Sequence, residues 1–231
     1  MANKTKLWYL ENFKLVNTLS KDEFIEFDKN ATMRSAPKSS VLYFPEDQSN
    51  TIYILKEGKV KISKISPDGK EIILAFLYPG EMFGELGITG QDKREEIAVA
   101  DEDCVMCIIN TNDVKDMMAS NPKFNFSITK LIGLKFKKIQ NRFEALIFKN
   151  SEQRIASFIL ELSTEYGMEI KGNPEEKLIR LKITHDEISK LTATSRQTVT
   201  SALNKFQKEE VLIYDRKSIF IKNLSKLKNL A

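Results

Sequence analysis

The most chemically distinctive feature of the chain is a polar helix face between residues 194 and 206. Four apolar residues recur there at the spacing of one helix face, namely Val199, Ala202, Leu203 and Phe206. The opposite face carries Arg196, Gln197, Thr200, Ser201 and Lys205. In the major groove of DNA, an arginine can donate two hydrogen bonds to guanine and a glutamine can pair with adenine. The pattern therefore predicts recognition of base edges rather than bond-making chemistry.

A second, shorter helix is predicted just before this face. It begins at Thr184-His185-Asp186-Glu187, which has the spacing of a capping box. Only a few residues around Thr192-Ala193 separate the two helices, a connection typical of a helix-turn-helix, whose second helix enters the major groove. Two capped helices followed by a hairpin also occur in α+β domains of other kinds, so this pattern alone leaves both interpretations open.

A strand, tight turn and strand come next, and they predict a wing. The strands are Val211–Tyr214 and Ile219–Ile221, and the turn between them would place Arg216 and Lys217 near the DNA backbone. Hydroxyl groups and the free N–H groups at a helix start can bond phosphates. The predicted DNA contacts are Thr184, His185, Ser195, Arg196, Gln197, Thr198, Thr200, Ser201, Lys205, Arg216 and Lys217.

The elements that would position this unit lie before it. Leu7 to Asn30 predicts short amphipathic helices, with a start signal at Ser20-Lys21-Asp22-Glu23. From Ser40 to about Asn110, short β-prone runs alternate with turn signals such as Ser66-Pro67-Asp68-Gly69, which predicts a small antiparallel roll or barrel.

One long helix is predicted after Asn121-Pro122. Its apolar stripe could pack on its own domain or also pair with its twin across a two-fold axis. We favour pairing, because the small β-domain has too little surface to cover both flanks of a helix this long. The predicted dimerisation residues are Ile128, Leu131, Ile132, Lys135, Ile139, Phe143 and Leu146.

The predicted fold class is therefore α+β, in three parts. Residues 1–121 form a β-roll (a double-stranded β-helix), residues 122–149 the dimerisation helix and hinge, and residues 150–231 a winged helix-turn-helix. Asn150 and Gln153 have capping-box spacing and begin the third part, so the hinge is expected near Phe148 to Ser151. Lys171 to Glu176 is predicted to be a loop.

Composition excludes several classes of protein. The chain has 231 residues and a net charge of +4, enough length for two modest domains and too little charge to indicate nucleic acid by itself. The apolar stretch Phe124 to Phe148 is broken by five basic residues and would not span a bilayer, and the start of the chain has no signal-peptide pattern, so a cytoplasmic protein is expected.

Metal and redox chemistry are also disfavoured. The two cysteines, Cys104 and Cys107, are too few for an iron–sulfur cluster, and in a strand they would point to opposite faces. Buried strand cysteines are the favoured interpretation over a metal or redox pair. With a single histidine and no nucleophile motif, the chain is predicted not to be an enzyme and to hold no metal.

Two segments resemble the cyclic-AMP receptor protein/FNR (Crp/Fnr) family of bacterial regulators. Pro79-Gly80-Glu81-Met82-Phe83-Gly84-Glu85-Leu86 is similar to the nucleotide-cassette signature of that family, and Thr184 to Val199 is similar to its DNA-reading unit. The resemblance covers roughly residues 10 to 222. It implies that Arg196 reads guanine. Gln197 and Ser201 depart from the common residues and imply a different half-site. Ala193 stands where a turn glycine is usual, and alanine tolerates that turn less easily.

The resemblance also implies an effector site, formed by Gly84, Glu85, Leu86, Arg94, Ile139 and Gln140. Glu95 and Glu96 follow Arg94 where a hydroxyl residue and a small residue would be expected. A carboxylate beside a bound phosphodiester is repulsive and must itself be desolvated. Cyclic AMP is therefore disfavoured as the effector, and Arg94 could instead pair with Glu95, Glu96 or another carboxylate.

The sequence thus predicts a homodimeric DNA-binding transcriptional regulator that reads a palindromic operator under control of an unidentified effector. Its expected partners are double-stranded DNA, a second copy of the chain and RNA polymerase, with no membrane. The alternative is a cyclic-nucleotide sensor whose winged helix docks on protein.

Overall fold

The computed structural model describes residues 21–215 and 217–231. The expectations for Leu7 to Ser20, the capping box that begins at Ser20, and Arg216 lie outside these residues. The chain divides into two compact units, Met1–Lys135 and Phe136–Ala231, and the division falls inside the long helix. The predicted boundaries at 121/122 and 149/150 stay a prediction.

The first unit is a roll of two four-stranded antiparallel sheets with flanking helices. The sheets have the orders β1-β8-β3-β6 and β2-β7-β4-β5. In chain order the elements are α1 (Lys21–Asn30), β1 (Thr32–Ala36), β2 (Val41–Tyr43), β3 (Thr51–Glu57), β4 (Val60–Ile65), β5 (Glu71–Leu77), β6 (Met82–Phe83), a 3-10 helix (Glu85–Thr89), β7 (Ile97–Ala100), β8 (Cys104–Asn110), α2 (Thr111–Ser120) and α3 (Pro122–Phe148).

The roll contains two apolar cores because its central strands β3 and β8 are buried on both faces. Side chains alternate across a strand, so Ile54 and Cys107 enter the outer core beneath the helices, while Tyr53 and Cys104 enter the inner core. Both thiols are buried, and burial raises the pKa of Cys104. The interpretation of the pair as buried strand cysteines is confirmed.

The second unit is a helical layer against a small sheet of order β11-β12-β10-β9. Its elements are α4 (Ser151–Tyr166), β9 (Gly167–Ile170), β10 (Asn173–Ile179), α5 (His185–Leu191), α6 (Arg196–Lys208), β11 (Leu212–Asp215), β12 (Ser218–Ile221) and α7 (Leu224–Leu230). The capping boxes predicted at Asn150/Gln153 and Thr184/Glu187 are both formed. They fix where α4 and α5 begin.

The predicted loop at Lys171 to Glu176 is wrong. Strand β10 begins at Asn173 and includes Pro174, so the connection to β9 is only two residues long. Pairing of β10 with β9 shifts register between Asn173 and Lys177. A proline, which has no N–H to give to a ladder, is tolerated at such an irregularity. The helix α7 was also not predicted.

Helix α3 turns part of its apolar surface toward its own unit. Ile128 is completely buried in the outer core, and Leu131 and Ile132 are half-buried against it. The expectation that Ile128 serves dimerisation is therefore wrong, because its side chain is already used within its own unit. No helix in the described part of the chain is both long and apolar enough to cross a membrane.

Candidate nucleic-acid interface

The turn between α5 and α6 is short and strained. Ala193 has φ of 49°, in the left-handed region that residues with a Cβ rarely adopt. The turn is held by Thr194 N–H, which donates to Ser189 O at 2.9 Å, and by the Thr192 hydroxyl, which donates to Ile188 O at 2.7 Å. The expectation of a tight turn at this position is confirmed.

Arg154 of α4 braces the same turn, a role that the sequence did not reveal. Its Nε donates to Thr192 O at 2.9 Å, and its terminal nitrogens donate to Ala193 O at 3.1 Å and Lys149 O at 2.9 Å. Since three carbonyls from two segments accept from one planar guanidinium, the turn is fixed relative to the start of α4.

The first turn of α6 presents its side chains outward. Ser195 is the N-cap, and its hydroxyl accepts from Thr198 N–H at 3.0 Å. Arg196, Gln197 and Ser201 are exposed, and none of the three makes a side-chain hydrogen bond within residues 21–215 and 217–231. Their donors and acceptors are therefore available to a ligand. The opposite face is buried at Val199, Ala202, Leu203 and Phe206, as predicted.

His185 lies between α6 and the wing. Its Nδ1 is 2.8 Å from Thr200 Oγ1, and its ring centroid is 4.7 Å from that of Tyr214 on β11. Burial, and then the charge of Arg196, lower the pKa of His185. The Tyr214 hydroxyl in turn donates to Ile183 O at 2.6 Å, which ties the wing to the segment before α5.

Lys205 is less available than predicted. Its Nζ lies 2.6 Å from Glu152 Oε1 on α4, and this hydrogen bond raises the pKa of Lys205. The charge of Lys205 is therefore already paired within the unit, and its predicted contact with DNA stays a prediction. Thr184 is exposed, but its hydroxyl accepts from Glu187 N–H as the cap of α5.

The wing has the predicted form. Strands β11 and β12 pair from Leu212↔Ile221 to Asp215↔Ser218, leaving a two-residue turn. Lys217 in that turn is exposed. The turn can therefore present its charge to a phosphate backbone.

The inside of the roll was predicted to hold an effector, and its central group is Arg94. This side chain is 2% exposed. Its guanidinium donates to Gly84 O at 2.8 Å and to Thr51 O, and it lies 4.6 Å from the centroid of the Tyr43 ring. Its Nε has no hydrogen-bond partner among the described residues.

The expected pairing of Arg94 with Glu95 or Glu96 is not formed in the described chain. Glu95 is exposed and bonds Lys64 Nζ at 2.6 Å, which lowers the pKa of Glu95. Glu96 is buried and accepts from the Tyr43 hydroxyl at 3.1 Å. Burial, and next the Glu96 charge, raise the pKa of Tyr43 far above its usual range. The terminal nitrogens of Arg94 donate to the backbone carbonyls of Gly84 and Thr51 instead.

Glu85, another predicted effector contact, is also already paired within the roll. Its Oε1 lies 2.7 Å from Lys135 Nζ, and the same ammonium donates to Met82 O at 2.5 Å. Lys135 therefore serves its own roll, and its predicted place among the dimerisation residues is wrong. Leu86, Ile139 and Gln140 are exposed.

Aromatic rings fill the rest of the roll interior. Tyr53 and Phe83 stack at 4.8 Å, and Tyr43 lies 5.8 Å from Tyr53. A Cβ placed on Gly84 would come within 2.9 Å of the Arg94 guanidinium, so nothing separates this backbone from that side chain. Two Arg94 nitrogens that could bind a phosphate are thus already bonded to backbone carbonyls, which does not favour a cyclic nucleotide. No group of three or more metal-ligating side chains occurs in the described residues.

Comparisons with known proteins match both units. A family model described as a cyclic nucleotide-binding domain matches residues 33–121, and one described as a Crp-like helix-turn-helix domain matches residues 153–230. The anaerobic regulatory protein of Haemophilus influenzae is 32% identical over 212 residues, 91% of this chain and 80% of that protein. The fumarate and nitrate reduction regulatory protein of Vibrio cholerae is 31% identical over 93% of this chain and 84% of its own length.

Solved structures share the fold. A CooA mutant from Carboxydothermus hydrogenoformans has a TM-score of 0.75 at 24% identity and is matched over 94% of each chain. FixK2 from Bradyrhizobium japonicum has a TM-score of 0.73 at 20% identity, over 87% of this chain and 96% of its own. The predicted architecture of β-roll, long helix and winged helix-turn-helix is confirmed, and so is the prediction of a DNA-binding regulator rather than an enzyme.

Proposed function

Because this chain belongs to the Crp/Fnr family of DNA-binding transcriptional regulators, we propose that it acts as a homodimer that reads an inverted repeat in double-stranded DNA. The observation that supports this proposal most directly is the first turn of α6. We call helix α6 the recognition helix. Arg196, Gln197 and Ser201 are exposed there on a helix whose start is capped and whose preceding turn is braced by Arg154. A helix held in this way presents the three side chains from fixed backbone positions, from which they can pair with base edges.

Lys217 in the wing, and Thr198 beside the exposed set, would contact phosphates, whereas the Thr200 hydroxyl already donates to Arg196 O. Such contacts fix position on the duplex and carry no sequence information. In this proposal Arg216 joins them, Ser195 and Thr184 act mainly as caps, and Lys205 positions the recognition helix through Glu152.

Helix α3 would supply the dimer seam. Five apolar positions follow one another at alternating steps of four and three residues, which is the spacing of a coiled-coil seam: Ile132, Phe136, Ile139, Phe143 and Leu146. The last four are between 50% and 65% exposed. A row of large apolar side chains this exposed is typical of a binding surface, and its heptad spacing favours a second copy of the same helix as the occupant.

Two recognition helices related by a two-fold axis would read half-sites about 34 Å apart, one turn of the duplex. The bound dimer would then be placed to contact RNA polymerase. The roll would act as a sensor for an effector other than cyclic AMP, since Arg94 and Glu85 are already bonded within the roll.

The test measures the affinity of the full chain for DNA recovered from a randomised duplex pool. We expect Arg196→Ala to weaken the specific site by about 1–3 kcal/mol and to relax preference at one base position. Lys217→Ala should weaken specific and random DNA alike and reduce the salt slope by about one.

Lys208→Ala is the matched control. It removes one positive charge from the exposed last turn of the same helix, about 18 Å from Arg196 along the axis, so specific binding should be unchanged. Equal losses for Arg196→Ala and Lys208→Ala would show that charge alone binds the DNA, and the recognition-helix proposal would fail.

A further inference from the structure

The only histidine of the chain, His185, lies at the junction of α5, the recognition helix and the wing. Its hydrogen bonds indicate which ring nitrogen carries the proton in the neutral form. Thr200 Oγ1 is 3.0 Å from Arg196 O, a carbonyl that can only accept, so the single hydroxyl proton of Thr200 is donated there. The His185 Nδ1 at 2.8 Å must then be the donor toward Thr200 Oγ1.

This fixes the chemistry of the other ring nitrogen. With the proton held on Nδ1, a neutral His185 has only a lone pair at Nε2, which repels an anion. Protonation turns Nε2 into an N–H donor and gives the ring a positive charge, while the bond to Thr200 is kept. A half-buried ring anchored in this way changes from an acceptor to a charged donor without moving.

Charged and titratable groups lie near the ring on α5, on the recognition helix and on the wing. Arg196 on the recognition helix disfavours the charged ring, and Tyr214 faces it from the wing with its hydroxyl bound to Ile183 O. On α5 itself, Asp186 pairs with Lys190 at 2.8 Å, and Glu187 accepts from Thr184 N–H at 2.7 Å. Burial of the ring, and then the charge of Arg196, lower the pKa of His185, so the neutral ring is favoured in the free protein.

We infer that His185 is a phosphate contact that works only in its protonated form, so that DNA binding by this surface takes up one proton. The inference rests on the proposed function, since it needs a duplex on the recognition helix. A phosphate beside Nε2 would offset the repulsion from Arg196 and hold the proton on the ring. Affinity for DNA should therefore fall as the pH rises from the protonated to the neutral range of His185.

The direct test is NMR of the wild-type chain, in which the single histidine gives one C2–H resonance without ambiguity. Its titration midpoint should rise by about one unit or more when duplex DNA is added. In parallel, the dissociation constant, measured below pH 8, should increase by up to about tenfold per pH unit between the titration midpoints of the free and the DNA-bound protein, since one pKa unit corresponds to tenfold. Random-sequence DNA should show the same trend, because phosphates carry no sequence information.

His185→Gln keeps a polar side chain that cannot be protonated, so its DNA affinity should be flat across this range. The window stops below pH 8 because burial lowers the pKa of Lys56 to about 8. If the resonance titrates at the same pH with and without DNA while specific binding persists, the inference is overturned and the proposed function stands. If wild-type protein binds no DNA at any pH, the proposed function itself fails.

Discussion

Two single residues, Ala193 and Lys56, lower the free energy of unfolding by their conformation or their surroundings. Ala193 holds a left-handed backbone in the turn before the recognition helix, with φ of 49°. Lys56 on β3 is almost completely buried, and burial lowers the pKa of its amine to about 8. Both positions are open to direct measurement because substitution should remove the unfavourable term.

We expect Ala193→Gly to stabilise the second unit by about 0.5–1 kcal/mol. Relief of the left-handed backbone is worth about 1–2 kcal/mol, and part of that is offset by the greater freedom of glycine in the unfolded chain. Urea unfolding measures the change. The matched control is Ala202→Gly, in the buried middle of α6, which should destabilise by about 1 kcal/mol or more. Loss of stability in both variants would contradict the strained turn.

We expect Lys56→Met to stabilise the first unit at pH 7 by on the order of 2 kcal/mol. Burial lowers the pKa of Lys56 from 10.5 to about 8, so the unfolded state binds more protons between those values and wild-type stability rises with pH across them. The gain from methionine should therefore shrink between pH about 8 and about 10.5. The exposed Lys70→Met is the control and should show neither effect. A gain that stays constant with pH would rule out buried charge as the cause.

The sequence could predict residues whose roles are local and could not predict those whose partners are distant. The caps at Asn150 and Thr184 follow from a spacing of three residues. Arg154 braces Thr192 O from 38 positions away, and Glu96 bonds Tyr43 from 53 positions away. Contacts of this kind arise from tertiary packing and leave no pattern in the local sequence.

At the scale of elements, α3 carries one apolar stripe whose surroundings change along its length. Ile128 and Ile139 are eleven residues apart, about three helical turns, so they lie on the same side of the helix. Ile128 is buried in the outer core, whereas Ile139 and Phe143 are exposed. Apolar spacing alone could not predict where along the helix the roll stops covering this stripe.

The C-terminal half of α3 is also tied to α4. Lys138 pairs with Glu165 at 2.7 Å, Arg142 with Glu161 at 3.2 Å, and Lys149 donates to Ser157 Oγ at 2.8 Å. A hinge at Phe148 to Ser151, as the sequence suggested, would have to break these contacts. Relative motion at that point stays a prediction.

We expect Phe143→Glu to shift the chain from dimer to monomer. Burying one such ring is worth about 1.5–3 kcal/mol, and a symmetric seam loses two, so the dimer dissociation constant should rise about a hundredfold or more. Sedimentation equilibrium measures it. Asn141→Glu adds the same charge on the opposite side of α3, where the residue is exposed and polar, and should leave the dimer intact. A monomeric wild-type chain would remove the basis of the proposed seam.

At the scale of the whole molecule, the order of elements was predictable, but the state of the effector site was not. Periodicity and turn residues gave the succession of roll, long helix and winged helix-turn-helix. Whether the roll has room for a ligand depends on how Tyr43, Tyr53 and Phe83 pack and on what Arg94 donates to. Those are properties of the assembled interior.

We expect cyclic AMP to leave the unfolding temperature of this chain unchanged. A ligand at a hundred times its dissociation constant would add about 2.7 kcal/mol, which calorimetry detects easily. Arg94→Gln should lower the unfolding temperature equally with and without the nucleotide, because it loses the bonds to Gly84 O and Thr51 O. If cyclic AMP stabilised the wild-type chain and Arg94→Gln abolished that effect, the conclusion that Arg94 is already bonded within the roll and does not bind the nucleotide would be wrong.

The central claim is that two copies of one recognition helix read one duplex. Hydroxyl-radical footprinting on a selected DNA site, with the number of bound chains measured by light scattering, tests it most directly. We predict two chains per site and two protected segments related by a two-fold axis, about 10 base pairs apart from centre to centre. One bound chain, or a single protected segment without an inverted repeat, would contradict it.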